Sequence, residues 1–168
     1  MSWFKQPLKL FLVAGMLGST AMLGGCSFSP VYSSASVSQG TLALSYAKPN
    51  SRLEQIVYQE LSLRLGSTQS ETAPLASVAI FPAISDMVLS RTDNPNKPME
   101  VAVTATLTVT PRDGSGGAVQ TYTRRATAQY TRNDQVLAER SAQEEALERA
   151  AKAVAESLRL AVLASASR

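Results

Sequence analysis

Glu100-Val101-Ala102-Val103-Thr104-Ala105-Thr106-Leu107-Thr108-Val109-Thr110 decides the fold. Val101, Val103, Ala105, Leu107 and Val109 share one parity; Ala102, Thr104, Thr106, Thr108 and Thr110 share the other. Successive strand side chains point to opposite faces, so this stretch is a strand with an apolar face and a threonine-rich face. Valine and threonine both suit a pleated, half-buried surface. Arg112-Asp113-Gly114 begins a hairpin turn, and Ala118 to Tyr130 returns as the antiparallel partner. On the return strand Tyr122, Ala126, Ala128 and Tyr130 share one parity, and Thr121, Thr123, Arg125, Thr127 and Gln129 share the other with Val119.

Downstream of the hairpin, from about Leu137, the composition shifts to Ala, Glu, Arg and Leu. Leu147, Ala150, Ala151, Val154, Leu158, Ala161 and Val162 form a stripe, with Glu144, Glu148, Lys152 and Glu156 opposite. That spacing predicts a long amphipathic helix to about Leu163. Upstream, Ala76 to Ser90 predicts another strand, with Val78, Ile80, Ile84 and Val88 on one parity. Pro82 interrupts it and lacks an N–H, which predicts a bulge or a sheet edge there. Arg91 to Pro98 is a turn rich in Asn and Pro. Further upstream, Ser51-x-x-Glu54 fits a capping box. Behind it Leu53, Ile56, Val57, Leu61 and Leu65 recur at helical spacing, and Gly66 is a suitable stop, so the helix covers 51–65. Thr41 to Tyr46 alternates as a short strand, broken by Pro49-Asn50.

The order is therefore β-α-β-β-β-α. Two amphipathic helices need a common apolar surface, and a mostly antiparallel sheet offers one. The expected fold is α+β: a two-layer sandwich with both helices on one face of a four-stranded sheet. The threonine-lined face is left to solvent or a partner.

The N-terminus reads differently. Lys5 and Lys9 precede an apolar run from Leu10 to Leu23, interrupted by Gly15, Gly18, Ser19 and Thr20, and Gly24-Gly25-Cys26 follows. A positive segment, a short apolar segment and small residues before a cut make a secretory signal. A membrane-spanning helix needs about 20 predominantly apolar residues, more than this run supplies. Leu23-Gly24-Gly25-Cys26 resembles the lipobox of bacterial lipoproteins, whose cysteine carries covalent lipid. Three segments are expected: a signal peptide over 1–25, a lipidated tether over 26–40 and a single α+β domain over 41–168. Ser-rich residues 27–40 suit a tether, although Phe28, Val31 and Tyr32 give it apolar points that can pack on the domain. Several acyl chains on Cys26, at about 0.8 kcal/mol per buried CH₂, anchor the chain to a membrane without spanning it.

Cutting after residue 25 leaves 143 of 168 residues, one domain of ordinary size. It also removes Lys5 and Lys9, so 14 basic residues face 13 acidic ones and bulk charge gives no case for nucleic acid. The chain has no histidine, and its single cysteine is assigned to lipid. The commonest general base, the commonest metal ligand and the usual thiol nucleophile are therefore missing. There is no Gly-x-Ser-x-Gly elbow or phosphate loop; Gly114-Ser115-Gly116-Gly117 lies between strands and reads as a turn. No enzyme, metal or cofactor is expected. A lipid-anchored hydrolase using carboxylates is disfavoured on the same grounds.

Cys26-x-Phe28-x-Pro30-Val31-Tyr32 resembles the start of the LPS-assembly lipoproteins of the LptE type. The later chain agrees: a capped helix, a strand pair, then Leu137-Ala138 with Arg140 and Ser141 running into an Ala/Glu/Arg helix with Ala150-Ala151 and Leu158-Arg159. The resemblance implies two helices on a four-stranded sheet. It also implies an outer-membrane lipoprotein at the periplasmic face, which plugs a large β-barrel of the LptD type, binds lipopolysaccharide and helps it reach the outer leaflet. Ser27, with no Asp there, agrees with outer-membrane sorting. Lipopolysaccharide is polyanionic near its lipid, and arginine suits phosphate. Arg124, Arg125 and Arg132 are the best-grouped cations and the candidate lipopolysaccharide contacts. Arg124 and Arg125 point to opposite faces and cannot share one site. The other reading of all three is solvated surface charge. The competing function is that of an accessory lipoprotein of a periplasmic lipid-transport ABC system, which would share the anchor and a small α+β domain.

Overall fold

The structure, a computed structural model, describes residues 42–87, 96–114 and 116–166, all within the unit Val31–Arg168. The expected signal peptide, Cys26 and the tether over 26–40 lie outside the described residues. The elements are β1 (Ser45–Tyr46), α1 (Arg52–Leu65), β2 (Leu75–Asp86), β3 (Lys97–Thr110), β4 (Gln120–Arg132) and α2 (Val136–Ala166). The strands form one sheet in the order β1-β2-β3-β4; β1 runs parallel to β2, and the other two pairings are antiparallel. The fold is the expected two-layer α+β arrangement.

The apolar parity of β3 lies beneath the helices. Val101, Val103, Ala105 and Leu107 are fully buried, together with Val57 and Leu61 of α1 and Ala150, Val154 and Leu158 of α2. Burying a side chain such as Leu107 or Leu158 contributes about 1.5–3 kcal/mol relative to exposure. Alanines at 146, 150, 151 and 155 keep α2 slim on its buried side. Ser51, in extended backbone, caps α1 by accepting from the Glu54 amide at 3.2 Å. The Glu54 carboxylate reaches back to the Asn50 amide at 2.7 Å, one residue earlier than the capping box expects. Gly66 ends the helix at φ 84 and ψ 162, a conformation open essentially to glycine alone.

Two expectations shift. The strand over Thr41 to Tyr46 shortens to Ser45–Tyr46, with Leu44 bridging Ser67. Nor does Pro82 cause a bulge: the β2–β3 register runs unbroken from Leu75↔Thr110 to Asp86↔Met99. The alternative reading of Pro82, a sheet edge, is what the pairing gives. β1 covers only Leu75 and Ala76, so beyond them no described strand pairs with the outer side of β2. Backbone groups on an antiparallel strand alternate between its two sides. The carbonyls of Pro74 and Ala76 accept from Ser45 and Ala47, and the Val78 amide donates to Tyr58, so the even residues face outward. Pro82 falls in that set, and its missing N–H costs β3 nothing.

Candidate functional site

The helices leave one sheet face open. Its side chains follow from the register. Ser77, Thr108 and Thr121 form one row across β2, β3 and β4; Ala79, Thr106 and Thr123 form the next. Phe81, Thr104 and Arg125 form a third, followed by Ala83, Ala102 and Thr127. The hydroxyls of Thr106 and Thr123 meet at 3.0 Å across the strands. Phe81 is 66% exposed, an aromatic ring standing on a hydroxyl-lined surface. The face thus carries short hydroxyls, one ring and one guanidinium, followed by a row of Ser85, Glu100 and Gln129. Such a surface can stack a flat apolar group, donate to anionic oxygens and hydrogen-bond polar ones. It offers no nucleophile paired with a base.

The three candidate cations are not brought together. Arg125 stands on the open face beside Thr104. Arg124 lies on the opposite parity, exposed, with its Nη1 donating to the Thr123 carbonyl at 2.8 Å. Arg132 closes β4 opposite Lys97, on the same parity as Arg124. Eight residues of strand separate these two, about 26 Å. Cys26 lies outside the described residues. Phe81 is not marked by the periodicity of its strand, whose apolar parity is that of Val78, Ile80 and Ile84; an apolar residue on the other parity is its one sequence signal.

On the helix side, α1 and α2 are joined by Arg52 to Glu148 at 3.5 Å and to Glu144 at 4.0 Å, and by Arg64 to Glu156 at 3.2 Å. These exposed pairs contribute about 0–1 kcal/mol each. Hydrogen bonding from Lys152 holds the Glu148 carboxyl below its usual range, and that from Arg159 does the same for Glu156. Arg149 donates to the Gln129 carbonyl at 2.8 Å, covering part of the β4 edge. Two phenols meet between α1 and β1, Tyr58 buried and Tyr46 half-buried. Tyr46 and Tyr58 meet edge to face with centroids 5.7 Å apart, and burial pushes both hydroxyls above their ordinary pKa. Among the described residues there is no group of three carboxylate or thiol side chains placed to hold a metal ion, and no helix long and apolar enough to cross a membrane.

A family model described as LptE, lipopolysaccharide-assembly, matches residues 39–162. A crystal structure from Caulobacter crescentus, described as that of a lipoprotein, is similar with a TM-score of 0.57 at 19% identity, over 77% of this chain and 95% of that one. Rare lipoprotein B from Shewanella oneidensis is similar with a TM-score of 0.55 at 18% identity, over 74% and 93% of the two chains. A minor lipoprotein from Acinetobacter baumannii gives 0.55 at 16% identity, over 73% and 93%. At these identities the likeness is one of fold. No curated protein matches the chain.

Proposed function

The chain belongs to the LptE family of lipopolysaccharide-assembly proteins, and on that premise we propose that it is an outer-membrane lipoprotein, anchored through lipid on Cys26 at the periplasmic face. It assists lipopolysaccharide transport to the outer leaflet by plugging and supporting a β-barrel of the LptD type and by binding lipopolysaccharide. Its work is binding and assembly, not catalysis, and the covalent lipid is its only non-protein group. The observation that supports this reading best is the open sheet face. Barrel interiors are polar, and a surface of Thr104, Thr106, Thr108, Thr121, Thr123 and Thr127 suits such a lumen, with Arg125 and Glu100 as its charged side chains. Arg125 is the contact for lipopolysaccharide phosphate on that face, and Phe81, across Thr104 in the same row, is the contact for an apolar or sugar-ring surface. Arg124 and Arg132, on the other parity, would meet phosphate only from the helix side.

The test is a pull-down of the full-length, C-terminally tagged protein from outer membranes in mild detergent, with mass spectrometry of what accompanies it. A large β-barrel in near-equal amount supports the reading. Recovery of the bait with an inner-membrane transporter overturns it in favour of the lipid-transport accessory.

A further inference from the structure

Among the described residues no strand pairs with the outer side of β4, so the sheet ends there as it does at β2. The two edges differ in kind. Pro82 removes an outward amide from β2, whereas β4 contains no proline from Gln120 to Arg132. Which groups of β4 face outward follows from the alternation carried across the sheet. The even residues of β2 face away from β3, so Ser77 and Thr108 bond to each other, and Leu107 bonds toward Tyr122. The odd residues of β4 therefore turn their N–H and C=O to the outside. Two contacts agree: the Thr123 carbonyl accepts from Arg124 Nη1, and the Gln129 carbonyl from Arg149 Nη2, each at 2.8 Å. Guanidiniums stand where a neighbouring strand would put its amides. Arg149 also holds Glu145 at 2.9 Å and closes the edge at Gln129. From Thr121 to Ala128 the edge is open, with the amides of Thr121, Thr123, Arg125 and Thr127 facing outward. The charged side chains of that run are Arg124 and Arg125, both exposed, and it has no carboxylate.

We propose that this run receives an extended acidic segment of another protein as a fifth strand, with two consecutive carboxylates opposite Arg124 and Arg125. In strand addition the main-chain bonds supply affinity and the side chains supply selection. Successive side chains alternate between faces on both strands, so consecutive acids place one carboxylate on each face, where each meets one arginine. An incoming amide takes the Thr123 carbonyl and releases the Arg124 guanidinium to the carboxylate. A second copy of this edge brings two more guanidiniums and no counter-charge, and like charges set opposite one another are destabilising. A neutral strand leaves both arginines without a partner, and a single phosphate group reaches only one face. The proposal rests on the geometry of the edge and not on the lipopolysaccharide role, with which it shares Arg125 alone.

The test titrates the full chain, purified in detergent, into a fluorescein-labelled peptide, Thr-Val-Thr-Glu-Glu-Thr-Val-Thr, and reads anisotropy. The counterpart with Lys-Lys in place of Glu-Glu is expected to bind about tenfold more weakly or worse. In the double variant Arg124→Glu, Arg125→Glu that preference is expected to invert. A third peptide keeps Glu-Glu but carries N-methyl groups on its central backbone amides; its charge is unchanged, its donors are gone, and it is expected to lose binding to the same degree. Amide exchange supplies the site-resolved reading. With the Glu-Glu peptide the N–H groups of Thr123, Arg125 and Thr127 are expected to gain protection, while those of Tyr122, Arg124 and Ala126, which face β3, do not change. Equal binding of the methylated peptide, with no gain in protection, reduces the edge to a patch of charge and overturns the proposal. Equal affinity for the Glu-Glu and Lys-Lys peptides overturns it too, as does no binding at about 1 mM peptide. Protection that appears on concentrating the chain without peptide makes a second copy the occupant and overturns it as well.

Discussion

Replacing Tyr58 with Phe isolates one hydrogen bond on which the sheet edge depends. The Tyr58 hydroxyl accepts from the Val78 amide at 2.8 Å, in a buried setting. β1 ends its pairing at Ala76, so the next outward-facing amide on β2 has no strand to receive it. Tyr58 supplies the acceptor from the helix layer. Tyr58→Phe keeps the ring, which is 7% exposed, and its contact with Tyr46, but leaves that amide buried and unpaired. An orphaned buried donor costs about 1–3 kcal/mol, more than the net worth of an ordinary hydrogen bond. For a domain of this size each kcal/mol moves the midpoint by roughly 4 °C, so Tm is expected to fall by about 4–12 °C. Amide exchange gives the site-resolved reading: the Val78 N–H is protected in the parent and exchanges faster in the variant, while Leu107 stays protected in both. A Tm within about 1 °C of the parent, with Val78 still protected, would mean that water or a relaxed backbone satisfies the amide and would refute the reasoning.

Leu158→Ala empties a fully buried position beneath α2 and is expected to cost about 2–5 kcal/mol, read as a lower urea midpoint at unchanged slope. Gly66→Ala forces a side chain into a backbone conformation at φ 84 and ψ 162 and is expected to cost about 1–3 kcal/mol by the same assay. Folding raises the phenol pKa values of Tyr46, Tyr58 and Tyr130 above the ordinary 10.0, in each case chiefly through burial. Their contribution is full below about pH 10 and is lost as pH climbs from there toward the folded values, so urea midpoints should fall as pH rises above about 10, and Tyr46→Phe should flatten that fall. Arg125→Glu on the open face is expected to weaken lipopolysaccharide binding about tenfold or more, since a charge-assisted bond contributes about 1.5–3 kcal/mol, while Tm stays within about 1 °C. Equal loss from Arg124→Glu in the same co-sedimentation assay would place the contact on the helix side instead.

The parts legible in the sequence are those in which one periodicity spans a whole element. The alternation over residues 100–110 and the stripe from Leu147 to Val162 each repeat often enough to fix type, face and partner, and the capping chemistry at Ser51 marks a helix start that the structure reproduces. Less was legible where the outcome depends on a neighbour. Thr41 to Tyr46 alternates convincingly, yet its strand is only as long as the partner offered by the start of β2. Pro82 reads equally as bulge or edge until the outward direction of the even residues is known. The arginines show the same limit at the candidate site. Proximity in sequence groups Arg124, Arg125 and Arg132, and parity alone separates the first two, but only the register sets Arg125 beside Thr104 and in one row with Phe81.

Helix length explains why so much of β2 stays bare. α1 has 14 residues, about 21 Å of helix, against 12 residues of β2, about 40 Å of strand. α2, with 31 residues and about 46 Å, matches the length of β3 and β4. Coverage of β2 therefore ends partway: Ala76 and Val78 are buried, Ile80 is half-buried, and Pro82 and Ile84 are exposed on the helix side while Phe81 is exposed on the other. An edge strand with apolar residues showing on both faces is a site for strand pairing and aggregation unless something blunts it. Pro82 blunts it, since the one amide it removes lies in the outward set that an added strand would need. The same proline that makes this segment a poor central strand thus keeps the exposed edge from recruiting a second chain, and a Pro82→Val variant should self-associate at concentrations where the parent stays monodisperse in light scattering.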